Sequence, residues 1–200
     1  MKPSRRPLPR SFFARPALAV APDLLGRLLV RTLPGGTRLA VRIVETEAYA
    51  ERDPASHSFR GRTRRNEVMF GRPGRLYVYF TYGMHFCSNV VTGGDGEGSA
   101  VLLRAAEPLE GLEEMAESRG LADPLLLCSG PARLTQALGI ASEENGEDLV
   151  RGATVRILEG SPARRIGRST RVGVGAGAEH LWRFFVQDDP FVSKGRPAKG

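Results

Sequence analysis

The chain has 200 residues, 41% hydrophobic and 26% charged, enough for one domain with a substantial core. No apolar run approaches the ~20 residues of a membrane-spanning helix, and no basic amphipathic helix appears, so the composition argues against a membrane partner. The formal net charge of +7 favours a polyanion, with nucleic acid the best fit, although an arginine-rich composition alone would give the same number.

In chain order, the opening MKPSRRPLPRSFFARPALAVAPD has its apolar stretch broken by Arg15 and Pro16. It reads as a flexible basic arm over residues 1–16 rather than a leader peptide. Residues 17–26 carry helical spacing at Leu18, Leu24 and Leu25. LLVRTLPGGTRLAVRIVETEAY then reads as a hairpin, with β-branched runs flanking a turn at Pro34 to Gly36. Residues 51–74 predict a long loop with a short helix, and a loop of that length in a compact domain is usually functional. The short window over residues 60–75 gathers Arg60, Arg62, Arg64, Arg65, Arg72 and Arg75, opposed only by Glu67. Arginine forks match phosphate geometry. Strands follow at 75–81, 84–92 and 100–106, then helices at 109–118 and 129–139, the second with Ser129 as cap and Pro131 early in the helix. Late strands are expected at 152–158 and 183–187. The pattern predicts an α+β fold, a mixed and mostly antiparallel sheet with helices around it. One domain would cover 17–193, followed by a disordered tail over 194–200. Cys87 and Cys128 could form one disulfide, but their apolar or small-residue surroundings favour buried thiols of a reducing, cytoplasmic compartment. No cysteine or histidine cluster has metal-ligand spacing, so no metal is expected.

RLYVYFTYGMHFC, residues 75–87, concentrates three of the four tyrosines. Alternation puts Leu76, Val78 and Phe80 on one face, facing a core, and Tyr77 and Tyr79 on the other. Tyr82 falls beside the turn marked by Gly83. Such rings can simply cover a sheet edge. Next to phosphate-binding charge, however, they suit stacking on nucleobases, and a ring at a hairpin tip suits wedging between base steps. VETEAY, residues 44–49, places Glu45, Glu47 and Tyr49 on one face. Two solvated surface carboxylates are one reading; a general base beside a tyrosine is the other. His57, in the following loop, is a candidate hydrogen-bond donor or a structural link.

The stretches RIVETEAY (42–49), ASHS (55–58), MFGRPGRLYVYFTYGMHFCSNVV (69–91), GDG (94–96), AVLLRAAEPLEG (100–111), LCSGPARLTQALGI (127–140) and RVGVG (171–175) together resemble the alkyladenine (3-methyladenine) DNA glycosylases, in family order and over most of the chain. The resemblance implies a curved sheet whose protruding β-hairpin inserts into DNA. It implies a monomeric, monofunctional enzyme of base excision repair that needs no cofactor. Such an enzyme flips a damaged purine out of duplex DNA and hydrolyses its N-glycosidic bond. Carried over residue by residue, Glu47 falls at the water-activating base, and Arg104 at an arginine that holds carboxylate and water. Tyr49, His57 and Tyr79 fall at the base pocket, and Asn89 at a position that crowds a guanine 2-amino group. Tyr82 falls at the intercalating residue. Arg62, Thr63 and His85 fall near phosphate contacts, although the 51–65 loop is shorter than in mammalian members. AGAEHLWRFFV, after RVGVG, follows the bacterial pattern, and Trp182 within it reads as core.

Alkylation at N3 or N7 makes a purine cationic, and aromatic faces attract such a ring by ~2 kcal/mol or more when desolvated. The charge also makes the base a good leaving group, so an acid is less needed. A carboxylate at Glu47 would stabilise oxocarbenium character and deprotonate the attacking water. Strand-cutting glycosylases need an amine for a Schiff base. The only lysines are Lys2, Lys194 and Lys199, which predicts no lyase activity. Two other readings stay open: a non-catalytic nucleic-acid binder, and a hydrolase of free nucleosides.

Overall fold

The computed structural model describes residues 6–194. Helices α1 (Arg10–Phe13) and α2 (Ala17–Asp23) lead into strands β1 (Leu28–Thr32) and β2 (Arg38–Tyr49). A single 3-10 turn, Glu67–Phe70, lies in the long loop. The hairpin of β3 (Leu76–Thr81) and β4 (His85–Val91) is followed by β5 (Ala100–Glu110). Helices α3 (Leu112–Arg119), α4 (Pro124–Leu127) and α5 (Pro131–Leu138) come next, then short strands β6 (Val155–Leu158), β7 (Ile166–Ser169) and β8 (Arg183–Val186).

The strands form one sheet in the order β3-β4-β5-β2-β1-β6, with β8 pairing both β2 and β7. Every pairing among the described strands is antiparallel. The spine is β2. One edge pairs with β5 from Ala40 to Tyr49. The other pairs with β1 through Arg42 and with β8 from Glu45 to Glu47. Register shifts on either side of Glu45 mark the handover, and irregularities of this kind bend a strand and raise its twist. The sheet therefore curls where the acidic residues sit.

Helix α5 is amphipathic: Leu134, Ala137 and Leu138 are fully buried, and Gly139 in the left-handed region (φ 59°) closes it. It packs on β4 and β5, while α2 packs on β2. The main core joins Val20, Leu24, Leu29, Ile43, Leu103 and Phe184; each such side chain removed from water contributes ~1.5–3 kcal/mol. A second cluster, Met69, Phe70, Tyr77, Val91 and Ala100, lies under the long loop.

The sequence reading needs several corrections. Residues 6–16 are not a flexible arm. Leu8 and Phe13 are buried, the Leu8 amide donates to Ile157 O, and Arg10 pairs with Asp148 at 2.5 Å; residues 1–5 lie outside the described residues. Residues 109 and 110 belong to β5, because β2 extends far enough for Ala40 to pair with Glu110. Ser129 does not cap α5: Gly130 occupies that position, and the Ser129 hydroxyl bonds Leu126 O and Arg133 instead. Residues 152–154 precede the strand that starts at Val155. Phe80 is half exposed rather than core. Only Asn89–Val91 of β4 reach β5, so the outer half of the hairpin leaves the sheet and Phe80 meets Phe86 (5.1 Å between centroids) instead. In the tail, Lys194 is described and exposed; residues 195–200 lie outside the described residues. Cys87 and Cys128 are free and buried, as expected.

Candidate active site

The distal part of β2, the β3–β4 hairpin and the loop at 172–174 enclose a cavity of about 390 Å³, within the range of small-molecule sites. Glu47, Tyr49, His57, Tyr79, Tyr82, Asn89 and Arg104 all line it, so the structure brings together seven of the ten residues singled out. Arg62, Thr63 and His85 do not line it. Arg62 is exposed and paired with Glu67 at 3.1 Å. Thr63 donates through its amide and hydroxyl to Asn66 Oδ1. His85 is exposed at the start of β4.

Neither acid of VETEAY is a solvated surface group, since both are fully buried. Their roles divide at the kink. Glu45 is a charge hub. It accepts from Arg104 Nε (2.8 Å), Arg183 Nε (2.7 Å), the Ser193 amide (2.8 Å) and the Ser193 hydroxyl (3.0 Å). Burial pushes its pKa up, but Arg104 and Arg183 outweigh that and hold it below the usual glutamate value. Glu47 faces the cavity. Its Oε2 accepts from the Tyr49 hydroxyl at 2.8 Å and its Oε1 from the Val172 amide at 2.8 Å. Arg104 Nη1 lies 3.4 Å from Oε1. The Arg104 guanidinium thus spans both acids. Burial disfavours its charge, yet Glu47 and Glu45 raise its pKa, which keeps a fixed cation beside the catalytic candidate.

The ring wall is layered. Tyr77, on the same strand face as Tyr79, is buried rather than presented, and its hydroxyl is 3.0 Å from His57 Nδ1. Burial raises the Tyr77 pKa to about 12, against a smaller opposing pull from Arg65. The His57 ring meets Tyr79 edge-on, 4.5 Å between centroids. Burial, with Arg65 nearby, depresses the His57 pKa, so the imidazole is neutral at neutral pH. Burial, and then the Cys87 thiol, push the Tyr79 pKa far up. Burial, and then Glu47, do the same for Tyr49. The three tyrosine rings and the imidazole are therefore uncharged. Asn89 donates from Nδ2 to Tyr77 O at 3.1 Å, which fixes its amide. Tyr82 sits at the hairpin tip with φ 51° and 86% exposure, above the cavity mouth.

The sequence reading missed other parts of the site. Met69, Tyr77, Cys87, Leu102, Pro131 and the 172–174 backbone also line the cavity. Arg171 is fully buried and forms a two-pronged pair with Asp53. RVGVG was visible as a matching stretch, but a backbone amide such as that of Val172 carries no side-chain signal. Among the described residues no group of three or more His, Cys, Asp or Glu residues is placed to hold a metal ion.

The cavity thus sets a buried carboxylate beside neutral rings, in a curled antiparallel sheet of a basic chain. Residues 11–190 match the family described as methylpurine-DNA glycosylase (MPG). The chain belongs to that family: it is a DNA glycosylase, a hydrolase of N-glycosyl bonds that acts on DNA in DNA repair. Its relatives include proteins named "Putative 3-methyladenine DNA glycosylase" from three organisms. The one from Carboxydothermus hydrogenoformans is 50% identical over 94% of this chain and 98% of its own length. That from Streptomyces avermitilis is 50% identical over 96% and 92%, and that from Methanoculleus marisnigri 49% over 94% and 98%.

Proposed function

We propose that the chain excises alkylated purines, 3-methyladenine foremost, from duplex DNA after turning the damaged nucleotide out of the helix into the cavity. The observation that carries this reading is one buried carboxylate, Glu47, held at the wall of an aromatic cavity. The Tyr49 hydroxyl, the Val172 amide and Arg104 set its orientation. Each carboxylate oxygen has two lone pairs, so these contacts leave acceptor capacity for a water. In this reading Glu47 takes a proton from that water and the oxygen bonds to C1′. The N-glycosidic bond breaks, its electron pair leaving with the cationic purine. Tyr79 and Tyr49 stack on the base, His57 contacts its edge, and Asn89 restricts the space beside it. Tyr82 fills the gap left in the duplex, while Arg62, Thr63 and His85 contact phosphates outside the cavity.

Glu47→Gln removes the base but keeps the shape. It is expected to abolish release of 3-methyladenine in single-turnover assays and to leave duplex binding intact. Release at the parental rate would overturn this mechanism, and a parent that binds duplex without releasing any base would favour a non-catalytic binder. The reading also predicts an intact abasic strand as product, because no lysine among the described residues lines the cavity. A covalent enzyme–DNA adduct captured with borohydride would refute that.

A further inference from the structure

One ring of the proposed base pocket already carries a cation. The Arg171 guanidinium lies over Tyr49, Cζ 4.7 Å from the ring centroid. It also lies over Trp182, at 5.1 Å, and His180 stacks on that indole at 4.3 Å and 15°. Arg171 is fully buried and does not line the cavity, so it covers Tyr49 from the protein side. Its Nη1 donates to Ala48 O at 3.0 Å and to Asp53, and its Nη2 donates to Asp53 Oδ1 at 2.9 Å and to Gly177 O at 3.2 Å. Among the described residues no such contact is found on Tyr79, whose ring neighbours are His57 and Tyr77.

A cation on one face of a ring draws π density toward itself, and two cations across one ring repel. We infer that Arg171, with Asp53, sets lesion specificity: it makes Tyr49 a wall that stacks on shape and leaves recognition of positive charge to Tyr79. Asp53 tempers the effect by neutralising most of the guanidinium's charge. The pocket then gains less from a charged lesion than two free rings would give, and it holds an uncharged purine adduct at comparatively small loss. This deepens the proposed function and rests on it.

The test isolates charge from shape. Glu47→Gln protein, which keeps substrate intact, is titrated with duplexes carrying 3-methyladenine or its uncharged isostere 3-methyl-3-deazaadenine. The readout is the ratio of the two Kd values. Asp53→Asn, which uncovers the Arg171 charge, is expected to shift the ratio against the cationic base by roughly threefold to fivefold, the size of a modest cation–π contact. The double change Asp53→Asn with Arg171→Gln, an uncharged pair of similar shape, is expected to shift it the opposite way. A purely structural role would weaken both duplexes equally and leave the ratio fixed, and that outcome overturns the inference. Should circular dichroism show that either variant is unfolded, Arg171→Lys and Trp182→Leu decide. The first keeps the cation and is expected to preserve the ratio. The second, by giving the guanidinium wholly to Tyr49, is expected to lower preference for the charged base; an unchanged ratio there refutes it. Failure of the Glu47→Gln protein to prefer either modified duplex over undamaged DNA would instead count against the proposed function.

Discussion

Tyr82 pairs a backbone cost with solvent exposure. A non-glycine residue at φ 51° bears ~1–2 kcal/mol of left-handed strain, and an exposed ring makes few contacts to offset it. Tyr82→Gly is therefore expected to leave the melting temperature equal or ~2–4 °C higher, while binding of a lesion duplex weakens. A large loss of stability, or unchanged binding, would contradict the wedge role. Tyr82 was legible in the sequence because Gly83 announces a turn. Glu47 and Tyr49 were legible because strand alternation puts them on one face. The division of labour between Glu45 and Glu47 was not, since it depends on a kink and on Arg183 and Ser193, far along the chain. The burial of Tyr77 was equally hidden. Its strand face is the one expected, but the 51–74 loop that roofs it has no periodic pattern to place it.

One side chain ties several points of the long loop together. Asn66 is buried, donates from Nδ2 to His57 O (2.8 Å) and Gly61 O (3.0 Å), and accepts from Thr63 through Oδ1. Asn66→Ala leaves these partners unmet. It is expected to cost ~1–3 kcal/mol in urea unfolding and to impair base release more than Arg62→Ala, because it frees the segment that holds His57 in the cavity. Equal activity of the two variants would show that the loop is positioned by other contacts. The two hairpins were readable at this scale, since alternating runs end at glycine-marked turns. Strand β7, IGRS, was missed because four residues with one apolar side chain give no period. Helix α4 is one turn long and escapes for the same reason. The packed N-terminal segment escaped because its anchors, Leu8 and Phe13, sit among prolines and arginines that imitate a disordered composition.

The molecule as a whole carries a positive charge outside and a buried charge cluster within. Duplex affinity should fall steeply as salt rises from ~50 to ~200 mM, as counterion release requires. A salt-independent rate on free nucleosides would point to a different substrate. The cluster answers to acid. Because Glu45 has a folded pKa below its usual value, its stabilisation is complete above about pH 4.3, and it is lost as pH falls through the depressed folded value. Glu45→Gln is expected to cost ~3–5 kcal/mol and to flatten that acid limb of the stability curve; a variant with parental stability at pH 7 would remove Glu45 from this role. The partners of Glu45 arrive in a fixed order: Arg104 59 residues later, Arg183 138 later and Ser193 148 later. During synthesis the emerging polypeptide holds an incompletely neutralised acid until Arg183 and Ser193 follow. A ribosome that stops short of position 183 thus leaves Glu45 without its second guanidinium partner.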